Sequence, residues 1–233
     1  MNHFPALSKE SVRLCESDYL HMTGLNEKSL VELTGLACAK EILNYYGPFY
    51  TDHIVIYAGP GKNGGDGVST ALFLAPYTKK ISICMPVSPS QDILKINISN
   101  VHNFYPNIEI TDSPVVGDIY IDALFGIGLS RKPEGIFEEL IKSMNEQSNP
   151  VISIDIPSGM DANTSISLGE PVSPNLTLAI GCLKPIHQHA KAEMACGEII
   201  CLDVGFPSQL IEKYAEIQKL KKAELINALQ QIQ

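Results

Sequence analysis

The sequence predicts an α/β fold: a three-layer, Rossmann-like doubly wound domain with a mainly parallel sheet and two extra N-terminal helices. Short apolar runs rich in β-branched residues alternate with segments of helical period, which is the pattern of successive βα units. The runs are apolar throughout instead of alternating with polar residues, which indicates strands covered by helices on both faces. The first run, Ile54 to Ala58, leads into a segment with five glycines in nine positions, residues 59–67.

Two helices are predicted before the first strand, over Ser8 to His21, with Ser8 as the N-cap, and over Lys28 to Tyr46. The remaining elements follow from the same periodicities. The predicted strands are Ile54 to Ala58, Ile81 to Met85, Asp118 to Asp122, Val151 to Ile156, Leu176 to Ile180 and Glu198 to Asp203, and the predicted helices are Gly64 to Tyr77, Gln91 to Phe104 and Gly135 to Met144. We expect residues 1–207 to form one domain and residues 208–233 a C-terminal helical tail.

The composition disfavours several classes of protein. The 233 residues carry a formal net charge of −9 and contain no strongly basic stretch, so nucleic acid is not an expected partner. No window of about 18 residues is apolar enough to span a membrane, and the first residues lack the apolar segment of a secretory signal. The six cysteines form no Cys-x-x-Cys pair, which is typical of buried thiols in a reducing compartment. We therefore expect a cytoplasmic protein.

The glycine-rich segment, residues 59–67, lies between the first strand and a helix. Glycines let the backbone approach a ligand, and a helix N-terminus offers free N–H groups to a phosphate. The segment satisfies G-x-G-x-x-G, but the next strand ends without the acid that holds a ribose in dinucleotide-binding folds, and Lys62 comes too early for a Walker A motif. Asp66 lies within the segment instead. A phosphorylated or nucleotide-like ligand is predicted, and a tight turn without a ligand is the alternative.

Two further strands end in polar residues. Asp122 closes one predicted strand, and Asp155 lies near the end of another, three residues before Ser158. The carboxyl ends of parallel strands meet at one edge of a sheet, so we expect these side chains to lie near Asn63 and Asp66. A carboxylate at the end of an apolar strand is costly to bury without a partner, which favours a functional site. Taken singly, Asp122 could instead bond neighbouring backbone, and Asp155 could cap a turn.

Three segments together resemble the motifs of the NAD(P)H-hydrate epimerase family, the YjeF N-terminal domain. They are Gly-Pro-Gly-Lys-Asn-Gly-Gly-Asp-Gly at 59–67, Asp-Ala-Leu-Phe-Gly-Ile-Gly-Leu at 122–129 and Ile-Asp-Ile-Pro-Ser-Gly-Met-Asp-Ala at 154–162. Their order and spacing also fit the family, and the likeness extends over residues 8–206.

The resemblance implies an isomerase that repairs nicotinamide nucleotides. Hydration of NADH or NADPH gives R and S forms, NADHX and NADPHX, which the family epimerises at C6 so that a separate dehydratase, specific for one form, can finish the repair. At the positions that match the family's motifs, the resemblance implies that Asn63, Asp122 and Ser158 bind a potassium ion. We assign the role of general acid and base to Asp155. The substrate-binding residues that the resemblance implies are Lys62, Asn63, Gly64, Gly65, Asp66, Gly126, Ile127, Gly128, Leu129, Ser130, Arg131, Lys132 and Asp155.

Some residues depart from the family or carry weaker signals. Lys62 stands where the family more often has asparagine, and we expect its cation to help bind a substrate phosphate. We interpret Lys184 as solvated, and His187 and His189 as a surface pair without a third metal ligand. A homodimer is expected from the fold.

Two other functions remain open. The first is a catalytically inactive binding or scaffold protein of the same fold, against which the presence of Asn63, Asp122, Asp155 and Ser158 argues. The second is a conventional NAD-dependent oxidoreductase, against which the missing acid after the second strand argues. Assays with hydrated and ordinary NADH would separate the three functions.

Overall fold

The computed structural model describes residues 5–47, 49–90, 92–105 and 108–230. The helices are α1 Lys9–Thr23, α2 Glu27–Tyr46, α3 Lys62–Leu74, α4 Asp92–Phe104, α5 Ile136–Asn145, α6 Ala192–Cys196 and α7 Ser208–Gln230, and the strands are β1 Phe49–Ala58, β2 Thr78–Cys84, β3 Glu109–Thr111, β4 Ile119–Ala123, β5 Val151–Ile154, β6 Leu176–Ile180 and β7 Glu198–Leu202. None of the helices in these ranges is long and apolar enough to cross a membrane.

The seven strands form one sheet in the order β3-β2-β1-β4-β5-β6-β7, and every neighbouring pair is parallel. The predicted Rossmann-like α/β fold with two N-terminal helices is thereby confirmed. The chain winds outward from β1 in one direction and from β4 in the other, so the crevice at the switch point lies between the loops that follow these two strands. The sheet therefore aims the segments after β1, β4 and β5 at one edge.

Alternate residues of β1 build the core on both faces of the sheet. Ile54 and Ile56 pack in a cluster with residues of α2 and α3, whereas Val55 and Tyr57 pack in a cluster with residues of α5. All four side chains are fully buried. This two-sided burial explains why the strands are apolar throughout.

The boundaries of several elements differ from the predictions. Helix α3 begins at Lys62, so most of the predicted glycine loop is the first two turns of a helix. The short strand β3 and helix α6 were not predicted, because three and five residues carry too little periodicity to be recognised. Gln91 and the last three residues of the predicted tail lie outside the described residues.

Helix α7 holds α1 in place. Leu210, Ile211 and Tyr214 of α7 are buried in a cluster with residues of α1. The Asp18 carboxylate of α1 accepts hydrogen bonds from the Tyr214 hydroxyl at 2.6 Å and from Lys213 Nζ at 2.8 Å. The division into a domain and a tail stays a prediction, but the first half of α7 is packed on the domain and fixes the helix that covers the carboxyl edge of the sheet.

Candidate functional site

A pocket of about 580 Å³ opens at the carboxyl edge of the sheet. Its walls come from α1, α2, the start of α3, the segment after β4 and the residue after β5. A second hollow of about 880 Å³ lies beside α6 and is lined by none of the predicted site residues. The first pocket is the candidate site because it lies where the strand ends converge.

Asp122, the fourth residue of β4, is a fully buried carboxylate that joins three segments. Its Oδ1 accepts hydrogen bonds from Ser158 Oγ at 2.6 Å and Leu124 N at 3.2 Å, and its Oδ2 accepts from Ser153 Oγ at 2.8 Å and Ser158 N at 2.9 Å. Burial raises the pKa of Asp122 above its ordinary value, although the hydrogen bonds from Ser158 oppose the shift. This carboxylate fixes the segment after β5 against β4, and neither Asp122 nor Ser158 lines the pocket.

Gly126 is the point where Asp155 and Asn63 converge. A Cβ at Gly126 would lie 2.8 Å from Asp155 Oδ2 and 3.2 Å from Asn63 Oδ1, so only glycine leaves room for both oxygens. Asp155 Oδ2 also accepts a hydrogen bond from Ile127 N at 3.1 Å. Asn63 is buried, and its Nδ2 has no hydrogen-bond partner among the described residues. The polar atoms of both side chains therefore crowd around one backbone position in the pocket wall.

Asp155 forms a buried ion pair that the sequence analysis did not predict. Its Oδ1 lies 2.6 Å from Lys184 Nζ, which also donates a hydrogen bond to Ile180 O at 2.7 Å. Lys184 is 1% exposed, so the interpretation of this lysine as solvated was wrong. The negative charge of Asp155 raises the pKa of Lys184 even though burial acts in the opposite direction. Asp155 has φ +72°, a left-handed backbone conformation that is uncommon outside glycine and marks a constrained position.

His187 is hydrogen-bonded to the backbone of the same lysine. Lys184 N donates a hydrogen bond to His187 Nδ1 at 3.0 Å, and the imidazole is 6% exposed. Burial, and secondarily the charge of Lys184, lowers the pKa of His187 to about 4. The interpretation of His187 and His189 as a surface pair was therefore wrong for His187, whereas His189 is exposed. The histidine is a neutral packing partner of the ion pair.

Asp66 lies one helical turn after Asn63 on α3 and lines the same pocket. Desolvation raises the pKa of Asp66 well above its ordinary value, and the negative charge of Asp155 adds to the shift. Unlike Asp155, Asp66 forms no ion pair within the described ranges of the chain. These two aspartates of the pocket wall therefore lie in different electrostatic environments.

Lys62 does not present a free cation to the pocket. Its Nζ lies 3.0 Å from Glu16 Oε1 of α1 and 2.8 Å from Glu27 Oε1 of α2. Desolvation lowers the pKa of Lys62, but the hydrogen bond that Lys62 donates to Glu27 and the charge of Glu16 outweigh it and raise the pKa. The lysine links α3 to both N-terminal helices, and this is a different role from the predicted help in binding phosphate.

Two glycines of the predicted phosphate loop serve backbone packing. A Cβ at Gly59 would lie 1.9 Å from Leu124 O, and a Cβ at Gly64 would lie 1.8 Å from Gly59 O. A larger residue at Gly59 would push the segment after β1 away from the segment after β4, and one at Gly64 would push the start of α3 away from Gly59. Much of the glycine signal in the sequence arises from this close approach of helix and strand.

Ten of the thirteen residues predicted to bind substrate line the pocket. The three that do not are Gly64, Gly65 and Lys132, and Lys132 forms an ion pair with Glu138. The contributions of α1 and α2 were not predicted from the sequence, and Lys184 was interpreted as solvated although it lines the pocket. The position of Lys184, shortly after β6 at the same sheet edge, was the signal that could have identified it. The ligand roles of all these residues stay predictions.

The residues predicted to hold potassium offer a suitable donor set. Asn63, Asp122 and Ser158 present oxygen atoms, and Ser158 Oγ lies 3.2 Å from the carbonyl oxygen of Phe125, the neighbour of Gly126. In the described part of the chain, Asp122 is hydrogen-bonded by neutral groups and forms no ion pair. Within the described residues, no group of three or more His, Cys, Asp or Glu side chains is arranged so that it could hold a metal ion. A donor set made only of oxygen atoms fits a hard cation and does not fit a transition metal.

The sequence matches a family model described as "YjeF-related protein N-terminus" over residues 27–186. Among curated proteins, it is 29% identical over 195 residues to the "Bifunctional NAD(P)H-hydrate repair enzyme Nnr" of Synechocystis, covering 83% of this chain and 37% of that protein. It is 29% identical over 220 residues to the "NAD(P)H-hydrate epimerase" of Elusimicrobium minutum, covering 89% of this chain and 98% of that one. The chain spans less than two thirds of several other curated relatives, including 66% of one from Plasmodium knowlesi and 40% of one from Thermofilum pendens.

A solved structure has the same fold. The yeast protein ynu0 superimposes with a TM-score of 0.72 at 19% sequence identity, over 84% of this chain and 87% of the yeast chain. At this identity the likeness concerns the fold alone.

Proposed function

This chain belongs to the family of YjeF-related protein N-termini, and from that membership we propose that it epimerises the R and S forms of hydrated NADH and NADPH at C6 of the nicotinamide ring. Relatives named NAD(P)H-hydrate epimerase support the proposal, and one of them is matched over 98% of its length. The proposal depends most on one observation: Asn63 and Asp66 of α3 line a single pocket at the switch point of the sheet together with Asp155, the residue after β5.

The reaction requires the C6–oxygen bond to break and to form again on the other face of the ring. When the bond breaks, the lone pair of the ring nitrogen forms a double bond to C6, and a proton must reach the departing oxygen so that water leaves. Water then adds to C6 from the opposite face and gives up a proton. The cycle consumes nothing, so the protein needs only to supply and accept protons and to stabilise a cationic ring.

Asp155 and Asp66 suit these two tasks in different ways. Asp155 lies in an ion pair, so its carboxylate can stabilise the cationic ring and accept the proton of the incoming water. Asp66 has a pKa raised well above its ordinary value by burial and by the charge of Asp155, so it suits the donation of a proton to the departing oxygen. Exchange of protons with water restores both groups. In this scheme Lys184 positions Asp155 and takes no part in bond making.

A potassium ion at Asn63, Asp122 and Ser158 is part of the proposal. When bound, the ion would supply a fixed positive charge next to the buried side chain of Asp122. Asp122 and Ser158 would then hold the segments after β4 and β5 together, as their hydrogen bonds already do. The oxygen-only donor set supports the assignment.

The wider setting of the reaction is also proposed. An epimerase prepares substrate for a dehydratase that accepts one of the two forms, and relatives named as bifunctional repair enzymes support a functional link of this kind. A cytoplasmic location and a homodimer complete the proposal.

The experiment that tests the function starts from each purified epimer of NADHX and of NADPHX. Interconversion is followed by chromatography or NMR in potassium buffer, with hydride transfer from ordinary NADH assayed in parallel. We expect wild-type protein to equilibrate both epimers and Asp155→Asn to lose at least about a hundredfold in rate. The control is Asp112→Asn, the same change at an exposed aspartate that does not line the pocket, and it should retain full activity.

The alternative of an inactive binding or scaffold protein gives a different result. Folded wild-type protein that leaves both epimers unchanged in potassium buffer would contradict the epimerase proposal. Oxidation of ordinary NADH instead would favour an oxidoreductase.

A further inference from the structure

Arginine is rare in this chain, and its placement is specific. Of the 17 Lys and Arg residues only two are arginines, Arg13 and Arg131. Both line the candidate pocket, Arg13 from α1 and Arg131 from the segment after β4. The remaining basic residues are lysines, most of which lie elsewhere. A guanidinium group binds phosphate through two parallel hydrogen bonds, so arginine is the cation best suited to that ligand.

The lysines of the pocket are already paired with carboxylates. Lys62 contacts Glu16 and Glu27, and Lys184 contacts Asp155. Arg13 and Arg131 are exposed at the pocket, and neither forms an ion pair with any residue in the described part of the chain. The two arginines are therefore the pocket cations whose charge no carboxylate of the described structure compensates.

Arg13 is held at the pocket by a well-anchored helix. Its neighbour Val12 is buried, and the side chain of Ser8 caps the start of α1 by accepting a hydrogen bond from Ser11 N. One turn further along, Glu16 ties α1 to α3 through Lys62. The arginine thus projects from a rigid element, which lowers the entropy lost when it binds a ligand.

Arg13 also lies outside the part of the chain that the family model matches, which begins at residue 27. Its position in the pocket therefore follows from the packing of this chain's own N-terminal helix. Arg131, by contrast, lies within the matched range, in the segment after β4.

We propose that Arg13 and Arg131 together bind the diphosphate of the substrate, so that α1 completes the nucleotide site. The proposal rests on the proposed function for the identity of the substrate, whereas the anionic character of the ligand follows from the two uncompensated guanidinium groups. Each arginine approaches from a separate element, and the diphosphate between them would link α1 to the segment after β4.

The structure offers one competing position for the diphosphate. Helix α3 begins in the pocket wall, and its N-cap, Gly61, provides no side-chain hydrogen bond to the free N–H groups. A diphosphate at that helix N-terminus would be bound by backbone and would be insensitive to either arginine. The two positions can be separated by mutation.

The test measures binding of ADP-ribose, which carries the diphosphate but no nicotinamide ring, by isothermal titration calorimetry. We expect the Kd to rise about tenfold in Arg13→Ala and in Arg131→Ala, because each loses charge-assisted hydrogen bonds to phosphate. Adenosine, which lacks phosphate, should bind wild type and variants alike. The matched control is Lys40→Ala, which removes a positive charge from an exposed position on α2 outside the pocket.

Kinetics with the proposed substrate give a second readout. Loss of a contact that is the same in the ground state and the transition state raises KM and leaves kcat unchanged, so both arginine variants should show this split. A Kd for ADP-ribose within twofold of Lys40→Ala, or no binding of ADP-ribose by wild type, would overturn the proposal. Arginine-dependent binding by a wild-type protein that does not epimerise NADHX would support the diphosphate site and contradict the proposed function.

Discussion

Asp122 and Asp155 have similar positions in the sequence, each at the end of an apolar strand, but the structure surrounds them with different partners. Asp122 accepts four hydrogen bonds from neutral groups and is fully buried. Asp155 pairs with the charged Lys184 and directs its second oxygen toward the pocket. The Asp122 carboxylate ties strands together, whereas Asp155 lines the pocket.

The difference shows that burial alone does not identify a functional carboxylate. Both side chains are inaccessible over most of their surface, and both would be costly to bury without partners. What distinguishes Asp155 is an ion pair at 2.6 Å combined with a left-handed backbone at φ +72°. A constrained backbone and a paired charge at a pocket wall indicate a group held in position for a task.

The largest effect is expected at Asp122. Asp122→Ala would leave the four donors contributed by Leu124, Ser153 and Ser158 without their acceptor, at about 1–3 kcal/mol each. We expect the free energy of unfolding to fall by about 5 kcal/mol, measured by urea denaturation with Asp112→Ala as the exposed control. A loss below about 1 kcal/mol would contradict the structural role of Asp122.

The next effect concerns the Asp155 ion pair. Lys184→Met leaves a buried carboxylate without its cation and should destabilise the protein by about 3–5 kcal/mol. In the double variant Lys184→Met, Asp155→Asn, neither charge remains, so part of that stability should return. Denaturation of the two single variants and the double variant forms a cycle. Strictly additive losses would show that the pair is not coupled.

Asp155→Asn should lower the epimerisation rate at least about a hundredfold, equivalent to about 2.7 kcal/mol in the activation barrier. The change keeps the shape of the side chain next to Lys184, so the folded structure can be checked by circular dichroism before the assay. A variant of Asp155 with more than half of wild-type activity would show that this residue takes no part in proton transfer. The role of Asp155 would then be structural, like that of Asp122.

The smallest effect concerns the pH dependence of stability. His187, beside the Asp155 ion pair, and Asp122 should change the free energy of unfolding in opposite directions as the pH falls. Burial lowers the pKa of His187, the partner of Lys184, to about 4 from an ordinary value of 6.5. The unfolded chain therefore binds more protons below pH 6.5, and stability is lost as the pH falls toward 4, by about 2 kcal/mol at pH 5.

Asp122 acts in the opposite direction, because burial raises its pKa and the folded state favours its protonated form. Its contribution to stability therefore falls as the pH rises. We expect His187→Gln to show a smaller loss of stability between pH 6.5 and 5 than wild type, measured by urea denaturation at each pH. If His187→Gln loses as much stability as wild type between pH 6.5 and 5, other groups cause the acid sensitivity.

Much of the fold could be predicted from the sequence because strands and helix ends are indicated by residues that are close together in the chain. The runs of β-branched residues predicted six of the seven strands, and the N-cap at Ser8 was confirmed. The strand β3 was missed because its three residues carry no period. The start of α3 was placed too late because glycines suggest loops, whereas here they allow a helix to approach β4 closely.

The sequence by itself determined the fold class and the residues that end the strands, because hydrophobic periodicity and strand order bring those ends to one edge. Only the tertiary structure decided which charges meet there. Lys184 and Arg13 are solitary cations in the sequence, yet packing buries one against Asp155 and places the other at the pocket. Such pairings join residues far apart in the chain, and no local pattern of residues encodes them.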